Sequence, residues 1–291
     1  MASNVYTGQV QGLSKIATGT PSAFCRAVTG GTFSIDMINV VTTGLTGQVN
    51  VRKALYIGKL NFQCIGPAKT DTQLWFPTTA GVQVGSFPDF LVEVDDGSNG
   101  QEFQLEDGQP ASVTVSLGEG DSDELMYDFT AWFPTITQQA RGTDVAVYNS
   151  VGGHTRNDIT VAWAGSKYGC MSFSLTNDLG IQTHNPADGK TALSKTKPEG
   201  VFYTQQDIRF EAVTSNVHQI GAAAILGDEW TAGNITITCA NATAGENILF
   251  TLGSFVPDGE ASMPFEVNGR VGFGQSYIPG AGAIYNRVVL T

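Results

Sequence analysis

Positive charge is scarce in this sequence, and missing altogether from one long stretch of it. From Thr70 through Ala140 there is no Lys or Arg, although Asp89, Glu93, Asp95, Asp96, Glu102, Glu106, Asp107, Glu119, Asp121, Asp123 and Glu124 all fall there. With 15 basic against 27 acidic residues the formal charge is −12 and the isoelectric point is near 4.5, a balance that argues against a basic nucleic-acid-binding groove. The acidic stretch reads either as solvated loops that keep the protein soluble or as a one-sign wall that repels a polyanion. Histidine is nearly absent as well: His154, His184 and His218 stand apart with no H-x-x-x-H spacing, so no metal site is expected. The four cysteines, Cys25, Cys64, Cys170 and Cys239, lack any C-x-x-C spacing. Cys64 and Cys239 lie inside apolar strand patterns and are expected to be buried thiols rather than disulfide or metal partners. No run approaches the roughly 18 apolar residues that cross a bilayer. The start, Met1-Ala2-Ser3-Asn4-Val5-Tyr6, has neither a basic nor an apolar stretch, so the chain is expected to be made in the cytosol with no membrane partner. The sequons at Asn234 and Asn241 carry no weight without a secretory route.

A catalytic kit is missing too. There is no G-x-S-x-G elbow, and Gly269-Arg270-Val271-Gly272-Phe273-Gly274 has no strand-to-helix context that would cradle a phosphate. Paired carboxylates occur at Asp95-Asp96 and at Asp121 with Asp123 and Glu124, but adjacent loop acids do not supply the two rigidly separated carboxylates of sugar hydrolysis. Asp121-Ser122-Asp123-Glu124 is too short for an EF-hand loop. No enzyme activity and no cofactor are expected. Trp75, Trp132, Trp163 and Trp230 are candidate stacking platforms, yet Trp132 shares a repeat position with Phe255, and a site that takes either ring is expected to be core.

What is present is a β pattern, stated twice. Phe33-Ser34-Ile35-Asp36 returns as Phe173-Ser174-Leu175-Thr176, and Leu60-Asn61-Phe62-Gln63-Cys64-Ile65 returns as Ile208-Arg209-Phe210-Glu211-Ala212-Val213. Ser112 to Leu117, a turn, and a strand ending Trp132-Phe133-Pro134 then match Asn234 to Cys239, a turn, and a strand ending Phe255-Val256-Pro257. Alternation of β-branched or aromatic with polar residues predicts strands with one buried and one wet face. Over 291 residues, 41% of them apolar, this suggests a mainly β protein of two tandem sandwich or barrel modules, each with at most one short helix. The boundaries read as an N-terminal arm over 1–21, a first module over 22–140, a junction over 141–155 and a second module over 156–291. The best helical candidate is Val217 to Leu226, with a weaker counterpart at Thr70 to Phe76. The long stretch Gly180 to Gly200, rich in turn formers, is too long for a simple connector.

The second half resembles a known family, the major tail or tail-tube proteins of long-tailed bacteriophages. Met171-Ser172-Phe173-Ser174-Leu175-Thr176-Asn177-Asp178-Leu179, a long loop, and Gly200-Val201-Phe202-Tyr203-Thr204-Gln205-Gln206-Asp207-Ile208-Arg209-Phe210 carry the likeness. It spans roughly Gly169 to Pro257 and reaches the first half only through the repeat. The resemblance implies a structural virion protein, made in the host cytoplasm and located in the tail, whose rings stack into a channel for genome ejection. A two-module chain is similar to members that form trimeric pseudo-hexameric rings, a hexamer being the alternative. Its partners would be further copies of itself and other tail proteins (tape measure, terminator, distal tail), and DNA would pass without specific binding. Asp121, Asp123 and Glu124 would then serve polyanion repulsion in the lumen, and Asn185, Asp188, Lys195 and Lys197 contacts between rings. Two other readings stay open: a capsid decoration or baseplate protein, and a carbohydrate-binding β-sandwich using Trp75 or Trp230.

Overall fold

The structure is a computed structural model that describes residues 9–17, 20–38, 41–43, 49–51, 55–76, 87–95, 100–118, 124–141, 152–163, 165–167, 169–184, 200–203, 207–214, 233–241, 243, 245–262, 272–280 and 288–291. The first half supplies β1 (Gln9–Ala17), β2 (Thr20–Ser22), β3 (Cys25–Ile38), β4 (Val41–Thr43), β5 (Val49–Val51), β6 (Leu55–Pro67) and the one-turn helix α1 (Lys69–Thr72). A 3-10 turn (Gln73–Trp75) extends that helix, and β7 (Asp89–Asp95), β8 (Gln101–Glu106), β9 (Gln109–Leu117), β10 (Met126–Phe133) and β11 (Thr135–Ala140) follow. The second half supplies β12 (Ile159–Trp163), β13 (Ser166–Lys167), β14 (Cys170–Asp178), β15 (Ile181–His184) and β16 (Gly200–Tyr203). It ends with β17 (Asp207–Thr214), β18 (Gly233–Cys239), β19 (Ile248–Ser262), β20 (Phe273–Pro279) and β21 (Val288–Leu290).

The protein is mainly β and its large sheets are antiparallel. The organising element is a 12-stranded sheet of order β13-β12-β18-β19-β20-β17-β14-β9-β10-β6-β3, with β21 also on β19. A second sheet, β11-β8-β7-β1-β2, comes wholly from the first half. The two stack face to face, as Phe62 against Phe90 (centroids 5.8 Å apart) and Phe33 against Phe103 (5.2 Å) attest. The stretch read as an N-terminal arm therefore holds β1 and β2, with β1 hydrogen-bonded along β7 from Gln9↔Asp95 to Ile16↔Asp89.

The sequence repeat is visible in the strand order. In the first half β3, β6, β10 and β9 lie side by side; in the second, β14, β17, β19 and β18 follow the same order with β20 inserted between β17 and β19. Each copy also carries a small hairpin between its first two strands: β4 with β5, and β15 with β16. The third sequence block matches residue for residue. Val113 pairs with Phe129 and Val115 with Tyr127, while Ile235 pairs with Leu252 and Ile237 with Phe250. The first block does not. Phe33 sits across from Leu60, whereas Phe173 sits across from Ala212, so the position equivalent to Phe173 in the sheet is Val28, opposite Cys64.

Both copies break register at the same place, in opposite senses. In the first, Ala111 is the extra residue on β9; in the second, the extra residue is on β19, where Ser254 takes a positive φ of 56°. One added residue turns every following side chain to the other face. Phe255 is therefore fully buried, while Trp132 is half-buried on the wet face and its neighbour Phe133 takes the core position. Trp132 thus lies outside the main core, because the unbroken alternation of β10 gives the inward places to Ala131 and Phe133, and it packs instead on the small cluster of Ile57, Ala111 and Ile181.

One continuous core spans the two halves, from Phe24, Phe62 and Phe129 to Trp163, Phe210 and Phe250. At its centre is Trp75, fully buried, with its ring 4.5 Å from that of Phe129 and 5.7 Å from that of Phe24. Its indole N–H donates to Thr130 O (3.0 Å), and its carbonyl accepts from Asn177 Nδ2 (2.7 Å) on β14. Nearby, Gln73 Nε2 donates to Leu290 O (3.1 Å) and Lys69 N to Glu246 Oε2 (2.9 Å). A helix too short to stand on its own is held by these ties to both halves. The weaker helical candidate, Thr70 to Phe76, is thus the one found as α1 and its 3-10 extension, while the stronger candidate, Val217 to Leu226, and Trp230 lie outside the described residues.

Candidate functional site

The feature with most functional promise is the wet face of the long sheet. Strand alternation sends Val113, Val115, Tyr127, Phe129, Leu175 and Phe210 inward and leaves Ser, Thr, Asn, Gln and a few charges outside. Because the strands are in register, the outer residues form rows across the sheet. One row runs Gln63, Asp128, Thr114, Thr176, Arg209. Another runs Asn61, Thr130, Ser112, Asp178, Asp207. A third runs Ser116, Ser174, Glu211, Ser276, Asp258.

Each row crosses from β9 to β14, the boundary between the two halves, without interruption. The Thr114 and Thr176 hydroxyls meet there at 3.1 Å. On the first-half side Asp128 accepts from Asn61 Nδ2 (2.9 Å) and Gln63 Nε2 (3.3 Å). On the other side Arg209 lies 3.7 Å from the Asp258 carboxylate. Among the described residues the ionisable side chains on this face are Asp128, Asp178, Asp207, Glu211 and Asp258 against Lys59 and Arg209, and Lys59 rests over the Trp132 ring at 4.6 Å. This surface is hydroxyl-rich, weakly acidic, and has its cations engaged. Such a wall gives phosphate oxygens few donors, since tight polyanion binding is driven by Lys and Arg displacing counterions.

The acidic residues singled out in the sequence are dispersed differently. Glu124 is engaged by Arg26, whose Nη2 lies 2.5 and 2.6 Å from its two carboxylate oxygens, and Glu124 also bridges to Thr155. Asp121 and Asp123 lie outside the described residues, as do Asn185, Asp188, Lys195 and Lys197. Glu93 and Glu102 are buried in the smaller sheet, where Arg141 Nε stands 3.5 Å from Glu93 and Gln139 donates to Glu102. Part of the acidic stretch is thus structural and faces away from the long sheet. The mild acidity of the wet face comes from Asp128, Asp178, Asp207, Glu211 and Asp258, most of them in the second half. The signal that would have found them is the polar phase of each alternating strand, read as one surface.

The second feature is the free border of the same sheet. β3 is 14 residues long and pairs only with β6 among the described residues. Between Arg26 and Asp36 it carries no charge and no proline, two of the devices by which edge strands avoid pairing with other chains, although it does carry a third, a bulge at Val28 to Gly30. Thr29, Gly31, Thr32, Ser34 and Ile35 are exposed along it, Ile35 at 39%. Behind it opens a cleft of about 300 Å³ lined by Leu13, Val28, Leu60, Phe62 and Val92.

Chemistry of the catalytic kind has little to work with. The four cysteines are free; Cys25, Cys64 and Cys239 are buried, and burial pushes the Cys239 and Cys170 thiols up to about 12. Burial also raises the Tyr127 phenol, with the Cys239 and Cys64 thiols adding to the effect. His154 is buried with Nδ1 unpartnered, and desolvation lowers its pKa. Among the described residues no group of three metal-ligating side chains converges, and no helix is long and apolar enough to cross a membrane.

The fold and this face define a mainly β chain built around one long antiparallel sheet. No protein-family model matches it, and no curated protein matches it.

Proposed function

We propose that the chain is a structural subunit that joins edge to edge with further copies of itself into closed rings, stacked as a tube through which DNA passes. This is the role of the tail-tube proteins that its second half resembles, and it places the protein in the virion tail. The observation that carries the reading is the junction of β9 with β14. There one copy of the repeated unit already joins the next through a continuous sheet, and the wet face runs across the join unbroken. A chain that contains one such join, and whose β3 has no neighbour on its outer border among the described residues, is suited to repeating it between molecules, and a closed ring removes the hazard of an open edge. The hydroxyl-rich, weakly acidic wall is suited to transit rather than retention. No catalytic step is assigned. A carbohydrate-binding reading draws no support from Trp75, which is fully buried.

The test is accessibility of the wet face. A cysteine placed at Ser174 should react with a small maleimide both before and after assembly, but with a large polyethylene-glycol maleimide only before, because a lumen admits the first and excludes the second. Equal reaction with the large reagent in assembled protein would show that this face is outside.

A further inference from the structure

We propose that β12 is a placeholder: in the lone subunit it covers the sheet border that β3 of a second copy takes in the assembly, so that joining requires the β12–β13 hairpin to leave. The inference rests on the ring-forming reading above and specifies its joining strand and its restraint.

Register equivalence is what points to β12. β9 and β18 occupy the same place in the two copies, with Val113, Val115 and Leu117 corresponding to Ile235, Ile237 and Cys239. On the outer side of β9 lies β14, with Leu117 opposite Phe173, Val115 opposite Leu175 and Val113 opposite Asn177. On the outer side of β18 lies β12, with Cys239 opposite Ile159, Ile237 opposite Val161 and Ile235 opposite Trp163. β12 therefore sits on β18 in the same register, position for position, in which β14 sits on β9. Yet β12 is not the first strand of a repeated unit. That role belongs to β14 and, in the other copy, to β3, whose outer border has no neighbour among the described residues. The chain thus holds an open first strand and a last strand whose slot is filled by something else.

Placing β3 of a second copy in that slot repeats the internal join. By the pairing of β3 with β6, Val28, Gly31 and Phe33 correspond to Phe173, Leu175 and Asn177. They would lie opposite Cys239, Ile237 and Ile235, replacing Ile159, Val161 and Trp163 with another apolar set. The 14-residue β3 offers a longer ladder than the five-residue β12, which is itself paired outwardly only at Ala162 and Trp163. Opposing this, Trp163 is fully buried and Ala240 N donates to Asp158 O (2.9 Å) just ahead of β12. Extracting them is a barrier. Such a barrier keeps subunits apart until a nucleus or a high concentration makes exchange favourable, because the new ladder forms only at the moment of joining.

The test locks the placeholder. Thr160 and Thr238 face each other across β12 and β18, so the variant Thr160→Cys with Thr238→Cys, oxidised by a small-molecule disulfide, ties β12 in place. The oxidised full-length protein should fail to assemble and the reduced form should assemble like the parent. Assembly of the oxidised protein would overturn the placeholder while leaving the ring reading intact; failure of the parent to assemble under any condition would overturn both. Hydrogen exchange on the unaltered chain gives an independent readout that needs no variant. On assembly, amides 159–163 should lose protection while amides 29–35 gain it. Retained protection of 159–163 in assembled protein would refute the exchange.

Discussion

Trp75 should be the residue on which cooperativity between the two halves depends. Truncation to Ala removes a fully buried indole, an event that costs about 3–5 kcal/mol in well-packed cores. It also strips the ring contacts with Phe24, Phe87 and Phe129, each at 4.5–5.7 Å; such aromatic pairs are worth about 0.5–1.5 kcal/mol beyond area. Trp75→Phe keeps most of the packing but leaves Thr130 O without its indole donor, at a cost of about 1–3 kcal/mol. Both substitutions preserve the backbone carbonyl that accepts from Asn177 Nδ2. The assay, in a background with Trp132 and Trp230 replaced by Phe, is urea unfolding followed by far-ultraviolet circular dichroism and by tryptophan fluorescence, which in the Trp75 variants reports Trp163 in the second half. With a slope of about 3 kcal/mol per M, Trp75→Ala should lower the midpoint by about 1 M or more. The Trp163 signal should move with the dichroism, because one core spans both halves. If the Ala variant shifts the midpoint by less than the Phe variant, or if Trp163 keeps its parental midpoint while the rest unfolds early, the bridging role is refuted.

Three further outcomes follow from other sites. Replacing Asp128 and Glu211 by Lys turns the wet face basic, so assembled protein should retain DNA in a salt-dependent way that the parent does not; equal retention by both would contradict the account of the wall. His154 has a folded-state pKa below its ordinary 6.5 because burial disfavours the charged ring. The unfolded chain therefore binds the proton first: the stabilisation is fully present above about pH 6.5 and is lost as pH falls toward the folded value. Thermal midpoints of the parent should drop across that window more steeply than those of His154→Leu, and parallel profiles would refute the assignment. Gly108→Ala sets a Cβ against the Phe133 ring and should destabilise by about 1–3 kcal/mol in chemical unfolding; no change would mean the ring can move aside.

Alternation and repetition carry much of this fold in plain view. The block from Ser112 to Leu117 and its mate from Asn234 to Cys239 can be aligned by eye, and they do occupy equivalent positions, because strand alternation is a local property written in successive side chains. Phe33 and Phe173 look like partners in the same way, yet their hydrogen-bonded neighbours differ by four residues. Register is decided between strands, and the bulge at Val28 to Gly30 that resets it has no local signature beyond a glycine pair. The same limit produced the expectation about Trp132: its likeness to Phe255 is real in sequence, but the extra residue on β19 turns Phe255 inward, whereas β10 keeps its alternation and Trp132 its outward place. The smaller sheet was not legible, since β1 falls in the stretch read as an arm and lies far in sequence from β7, its partner. The acids of the first half were legible as a charge run, whereas the burial of Glu93 beside Arg141 depends on a fold that brings residue 141 back to β7. The wet face was written in the polar phase of seven strands, and only their order makes it one surface.

On the ring-forming proposal the sheet, already continuous from β9 into β14, continues between molecules. Electron microscopy of the purified chain over a rising concentration series tests it most directly. Hollow rings and stacked tubes with a central channel are the predicted result; single particles of one-chain size at every concentration and salt would contradict it.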